Sequence, residues 1–359
     1  MRIGQQSLLD LLGEKNIRFV IPIYQRAYSW TQRQCEELWR DILRAAKVDG
    51  RHFVGTVLYT PEDDDEQGHH RFAIIDGQQR LTTLTLLLAA LGEYLGTHDG
   101  AVPELTSATL TGRYLLADGD ASACKLALSP KDDDTLQAVI VGTPMPAKTS
   151  VRVTENLSFF QNQMAADDFD AQTLWRGLKG LFAITAQVDD ADQAQSIFEG
   201  LNSKGYPLTI ADLVRNYLLL TESHDEQERL YREYWEPMEG LFVPDPGSLR
   251  LDNAIKGWLS VRFPRTRMKS TETVYSGFKQ YVEDEYDGTK EDLLHELRGF
   301  CLVWAENYRY HAVKKFKSSY DWARNGAPTL TANYKLKPAS NPEYAERVRK
   351  ELKSVDTNM

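Results

Sequence analysis

The stretch RFAIIDGQQRLTTLTLLLAALGEYL, residues 71–95, constrains the fold more than any other part of the chain. RFAIID (71–76) reads as an apolar strand that ends at an aspartate. Gly77 allows a tight turn there. Residues 81–95 then form a strongly apolar helix, and a helix apolar on most sides has to be buried under other elements. The chain therefore contains a strand–turn–helix unit at the centre of a packed core.

The flanking segments fit that unit. HFVGTVLYT (52–60) reads as a strand that pairs with 71–76 as a hairpin, joined by the polar, acidic connector PEDDDEQGHH. Arg18 to Ile21 forms a short strand running into the loop PIYQRAYSW. Thr31 and Gln34 form a capping-box pattern. Cys35, Leu38, Trp39 and Ile42 follow at i, i+3, i+4 and i+7, so 32–46 is an amphipathic helix. Residues 97–150 are mixed, and the acidic run Lys131–Asp134 reads as a solvated turn. ENLSFFQNQM and 171–182 are helical, 180–188 is a strand, and Ala191 to Leu201 is a helix ending at NSKG. Thr209 and Asp212 form a second capping box. From 224 onward nearly every segment is helical. Residues 325–345 form a loose connection, and the closing EYAERVRKELKSVDTNM is either a terminal helix or the beginning of a further part.

With 359 residues, the expectation is two domains at roughly 150 residues each. Hydrophobic residues make up 42%, enough for a sizeable core. Lys+Arg 42 against Asp+Glu 52 gives −10, which argues against a surface coated with DNA-binding charge but leaves room for a local groove or pocket. Cys35, Cys124 and Cys301 lie far apart with no CxxC, which fits a reducing cytoplasm. No signal peptide and no membrane span are expected.

Three strings carry chemistry. In Asp76-Gly77-Gln78-Gln79-Arg80-Leu81-Thr82, a strand runs into a helix N-terminus, whose N–H groups suit a phosphate. Arg80 adds a bidentate phosphate contact, and Asp76 holds a metal ion or a water. The alternative is that Asp76 and Thr82 only cap a buried helix. The second string, Pro22 to Trp30, places Gln25, Arg26 and three aromatics at a strand end, where they either stack a base and hold phosphates or pack on the core. Both strings sit at strand-to-helix junctions and can face one cleft. The third, Phe198 to Gly205 followed by Asp212 and Asn216, reads alone as a helix C-cap. A basic cluster, Arg262 to Lys269, reads as a solvated face.

Together IPIYQRAYSW, HFVGTVLY, IIDGQQRLTTLTLLL and FEGLNSKGYPLTIADLVRNYLL, in this order, resemble the N-terminal domain of GmrSD-type modification-dependent restriction systems. That domain is also called domain of unknown function 262, and the phosphorothioate-sensing Ssp effector is a similar type. The resemblance implies an α+β fold: a ParB/sulfiredoxin-like mixed sheet with helices over 1–220, followed by a mainly helical domain over 221–359. It implies a nucleoside triphosphatase whose hydrolysis, with Mg²⁺ or another divalent cation, is coupled to sensing phosphorothioated or glucosylated double-stranded DNA.

The expected catalytic residues are Asp76, Gln78, Gln79, Arg80 and Arg26, with Gln78 or Gln79 positioning water and Asp76 as the metal ligand. Nucleotide contacts fall to Gly77, Arg80, Leu81, Thr82 and Gln25. Pro22, Tyr24, Gln25 and Tyr28 would form the pocket that senses modified DNA. A His-Asn-His-type nuclease is the implied partner, as a separate subunit or a part missing from this chain, because nothing after residue 320 supplies its pattern. A homodimer is left open. The alternative reading is a ParB-like, nucleotide-dependent DNA-binding switch with little turnover.

Overall fold

The computed structural model describes residues 1–47, 50–118, 120–189, 197, 208–242, 251–263 and 270–313. The chain forms two units, Met1–Ser203 and Lys204–Met359.

The first unit is a six-stranded mixed sheet with helices, so the α+β expectation is met. Its strands are β1 (Arg2–Ser7), β2 (Ile17–Val20), β3 (His52–Pro61), β4 (His70–Asp76), β7 (Leu126–Ala127) and β8 (Leu181–Gln187), in the order β1-β8-β3-β4-β2-β7. A separate ladder pairs β5 (Leu116–Ala117) with β6 (Asp120–Cys124). β3 and β4 are antiparallel, with Leu58 opposite Asp76, which is the hairpin read from the sequence. β2 and β4 are parallel neighbours, with Ile17 opposite His70 and Val20 opposite Ala73. Their carboxyl ends therefore open on the same side of the sheet.

The apolar helix is α3 (Gln78–Thr97), and Leu84, Leu86, Leu87, Leu88 and Leu91 on its successive faces are all buried. Each such leucine contributes about 1.5–3 kcal/mol relative to exposure. The amphipathic helix is α2 (Gln32–Lys47), which buries Cys35, Trp39 and Ile42. Trp39 stacks on Phe169 at 6.0 Å between ring centres. Its start is half a capping box: the Gln34 side chain accepts from the Thr31 backbone N–H and hydroxyl.

One segment carried no reading in the sequence, and one departs from its reading. The first twelve residues form β1 and a short helix α1 (Leu8–Leu12). The acidic run Lys131–Asp134 is not a solvated turn but the first turn of a helix. In chain order, α4 is Ser107–Leu110, α5 is Pro130–Val141, α6 is Val151–Met164 and α7 is Ala171–Lys179. Pro130 occupies the first turn of α5, where a missing N–H costs nothing. The acidic residues there lie at the positive end of the helix dipole. Asp132 is buried and accepts from the Tyr28 N–H at 2.6 Å and the Ser150 hydroxyl at 2.6 Å.

The second unit is helical where it is described: α8 (Ile210–Leu219), α9 (His224–Leu230), α10 (Glu236–Leu241), α11 (Leu251–Arg262), α12 (Thr271–Asp284) and α13 (Lys290–Val313). The Thr209–Asp212 capping box is present in both directions. Trp235, Trp258, Phe278 and Leu297 centre its core. Arg262 is not part of a solvated face. Its side chain is buried, pairs with Glu296 and stacks on Trp258, with 3.7 Å from the guanidinium carbon to the ring centre. The rest of the basic cluster lies outside the described residues. So do the NSKG turn, the 325–345 connection, the closing segment and all of the helix expected over 191–201 except Ile197, which is helical.

Candidate functional site

β4 delivers Asp76 to the sheet end, and Gly77 turns the chain with φ +99°. A side chain at Gly77 would crowd the Thr56 carbonyl and Val57 of β3, so the turn requires glycine on both conformation and space. α3 begins at once and carries no side-chain cap. The reading in which Asp76 and Thr82 cap this helix therefore fails. Asp76 instead accepts from the Gly77 N–H.

The two sequence motifs meet here. The Gln25 amide donates to the Ile75 carbonyl at 3.2 Å, and Gln78 donates to the Gln25 amide oxygen at 3.2 Å. Arg26 lies near enough to Asp76 to lower its pKa electrostatically. Burial is the largest influence on Asp76 and pushes its carboxyl above the ordinary range; Arg80, the Gly77 N–H and Arg26 oppose it only in part. A carboxyl moved in that direction is better matched to proton transfer near neutrality.

Several residues are already committed. The Gln79 side-chain oxygen accepts from the N–H groups of Ser29 (2.8 Å) and Trp30 (3.1 Å), and its nitrogen donates to the Ala27 carbonyl. Gln79 thus holds the 27–30 loop. Arg80 donates to the Val54 carbonyl at 2.8 Å, the Thr56 carbonyl at 2.7 Å and Asp76 at 3.3 Å. It clamps an irregularity in β3 around Gly55, whose φ is +102° and where a Cβ would collide with the Arg80 guanidinium. Leu81 and Thr82, expected as phosphate contacts, lie within α3 rather than at its open first positions. The Leu81 N–H donates to the Gly77 carbonyl at 3.0 Å, and both side chains are buried. The donors without an intrahelical acceptor belong one turn earlier, to Gln78, Gln79 and Arg80.

Pro22, Tyr24, Gln25 and Tyr28 are all buried. Burial, and then the charge of Glu62, raises the Tyr24 phenol. The Tyr28 hydroxyl lies 2.6 Å from the Thr83 hydroxyl and accepts from the Asn156 amide at 2.9 Å. Asn156 also donates to the Trp30 carbonyl at 2.9 Å. Asn156, Thr83 and Asp132 brace this loop, a role assigned to none of them from the sequence. Asn156 gave no signal at all, and Asp132 was hidden in the acidic run. Burial pushes the Cys35 thiol up to about 11, so it is a poor nucleophile at neutral pH.

Among the described residues no group of three or more His, Cys, Asp or Glu side chains could hold a metal ion, and no helix is long and apolar enough to cross a membrane. A search of curated proteins gives no match. The family model described as "GmrSD restriction endonuclease, N-terminal domain" matches residues 8–219, well over half of the chain. That span contains the 22–30 loop, the Asp76–Arg80 turn and the Thr209–Asp212 box, and the chain belongs to the GmrSD restriction endonuclease N-terminal domain family.

Proposed function

We propose that the first unit is the nucleoside triphosphatase of a modification-dependent restriction system. The nucleotide would lie at the carboxyl ends of β2 and β4. One observation carries the reading: two segments 50 residues apart are joined there through Gln25, Gln78 and Gln79, which brings Arg26 beside Asp76. The family's restriction role supplies the setting.

In this reading Arg26 contacts a phosphate and balances charge developing in the transition state. The N–H groups of Gln78 to Arg80 hold phosphate oxygens at the N-terminus of α3. Gln78 orients the attacking water. Arg80 acts mainly by keeping Asp76 and the β3 carbonyls in place. Asp76 alone is no preformed metal cage, but Mg²⁺ commonly binds one or two carboxylates together with phosphates and waters. Asp76 would hold such an ion, which supplies neutralisation of phosphate charge when bound. Sensing of phosphorothioated or glucosylated DNA by Pro22, Tyr24, Gln25 and Tyr28 requires the 22–30 loop to open, because all four are buried. A His-Asn-His-type nuclease, as a domain or a subunit, would do the cutting.

The test is phosphate release from each NTP with no DNA and with unmodified, phosphorothioated and glucosylated duplexes. Arg26→Ala and Asp76→Asn should each lower turnover by about 10²-fold or more, the size of losses on removing a transition-state partner. Wild-type rates in both variants would overturn the assignment. Nucleotide binding without phosphate release would favour the ParB-like switch.

A further inference from the structure

Beside the 28–31 loop a groove of about 550 Å³ opens between the start of α2 and the start of α6. Its lining carries no apolar side chain. Arg33 and Arg152 face it with the hydroxyls of Thr31, Thr154 and Ser158, and Glu155 stands among them. Such a wall does not suit an apolar ligand, whose burial would strand these polar groups. The volume lies within the range of small-ligand sites, enough for a nucleotide unit.

The groove adjoins the candidate site through covalent and hydrogen-bonded neighbours. Thr31 directly follows Trp30. Asn156, in the same turn of α6 as Thr154, Glu155 and Ser158, donates to the Trp30 carbonyl and the Tyr28 hydroxyl. The Asn156 side-chain oxygen is buried and has no hydrogen-bond partner. A ligand that shifted α6 against residues 31–33 would therefore pull on the loop that carries Arg26.

We propose that this groove takes the phosphate backbone of a nucleic-acid duplex, and that Glu155 latches it electrostatically. Glu155 lies 2.7 Å from Arg152, so it occupies the guanidinium that a phosphate needs. Arg33 is farther from its own partner, Glu37, at 3.9 Å. A phosphate entering the groove would displace Glu155 from Arg152 and pair with both arginines. A weakly attractive groove of this kind suits a protein with net charge −10 that has to ignore most DNA. The inference rests on the restriction reading for its ligand but not on hydrolysis.

The experiment is fluorescence anisotropy of a labelled 20-base-pair duplex on the full chain, without nucleotide, across a salt series. A protein that never hydrolyses NTP still answers it. Arg33→Ala with Arg152→Ala should weaken binding about tenfold and reduce the slope of log K against log salt by about 2, one for each lost phosphate contact. Glu155→Gln, which keeps size and removes the competing charge, should tighten binding severalfold. Thermal melts check that each variant folds. If the double variant fails to fold, Glu155→Gln alone decides. The proposal is overturned if wild-type protein binds no duplex at low salt. It is equally overturned if the folded double variant keeps the wild-type slope, or if Glu155→Gln binds no more tightly than wild type.

Discussion

His69 shows how much one residue can carry. Its ring Nδ1 lies 2.8 Å from an Asp65 carboxylate oxygen and its Nε2 lies 2.7 Å from the Asp118 carbonyl. Both partners only accept, so both are satisfied only when the ring bears two protons. The Asp118 carbonyl first, then the Asp65 carboxylate, raise the pKa of His69, against burial and Arg18. A raised folded pKa means that the charged ring stabilises the fold. That stabilisation is complete below the ordinary histidine value of about 6.5 and is lost as pH rises through the higher folded value. His69→Gln should therefore lower the melting temperature more at pH 6 than at pH 9. An equal drop at both pH values would show that the ring is not charged in the native protein. In the sequence, His69 was one of two histidines in an acidic loop, with nothing to distinguish it from His70, which remains exposed.

At the scale of elements, the Arg26 loop is held by three helices. The Thr83 hydroxyl donates its single proton to the Gln79 carbonyl, so the Tyr28 hydroxyl must donate to Thr83. Asn156 donates to Tyr28 in turn. The result is a directed chain from α6 through the loop into the first turn of α3. Asn156→Ala would leave the Trp30 carbonyl without this donor and break the chain at Tyr28. The expected loss is about 1–3 kcal/mol, the cost of stranding a buried polar group. It would be read from the midpoint of urea unfolding, and an unchanged midpoint would remove the brace. The elements themselves were largely legible. β3, β4, α2 and α3 follow from periodicity and the Asp-Gly turn, because a local pattern fixes which face is buried. α5 was not legible, because the charges of Asp132 and Asp133 suggested solvent, while Asp132 is held by the Tyr28 N–H 104 residues away and Asp133 by the Leu128 N–H just before the helix.

For the whole molecule, ligand binding links to stability. A nucleotide that binds only the folded chain stabilises it by about 2.7 kcal/mol at a hundredfold excess over its Kd. Calorimetry with a non-hydrolysable NTP analogue and Mg²⁺ should therefore raise the unfolding temperature by several degrees, and Asp76→Asn should reduce the rise. No shift with any nucleotide would count against the strand-end site as a nucleotide pocket. The overall charge of −10 disfavours broad electrostatic binding of DNA. Contact with a duplex would then depend on local cations such as Arg33 and Arg152 rather than on the molecule's field.

The sequence by itself determined the strand–turn–helix centre, the glycine at its turn and the two strings that meet at the sheet end. These follow from patterns within a few residues of one another. Only the tertiary structure decided what each polar side chain in those strings is free to do. Gln79 is spent on a loop 49 and 50 residues earlier, Arg80 on strand carbonyls 24 and 26 residues away, and Tyr28 on an asparagine 128 residues later. A buried donor or acceptor takes whatever partner the packed fold brings within about 3 Å, and sequence spacing does not encode that distance.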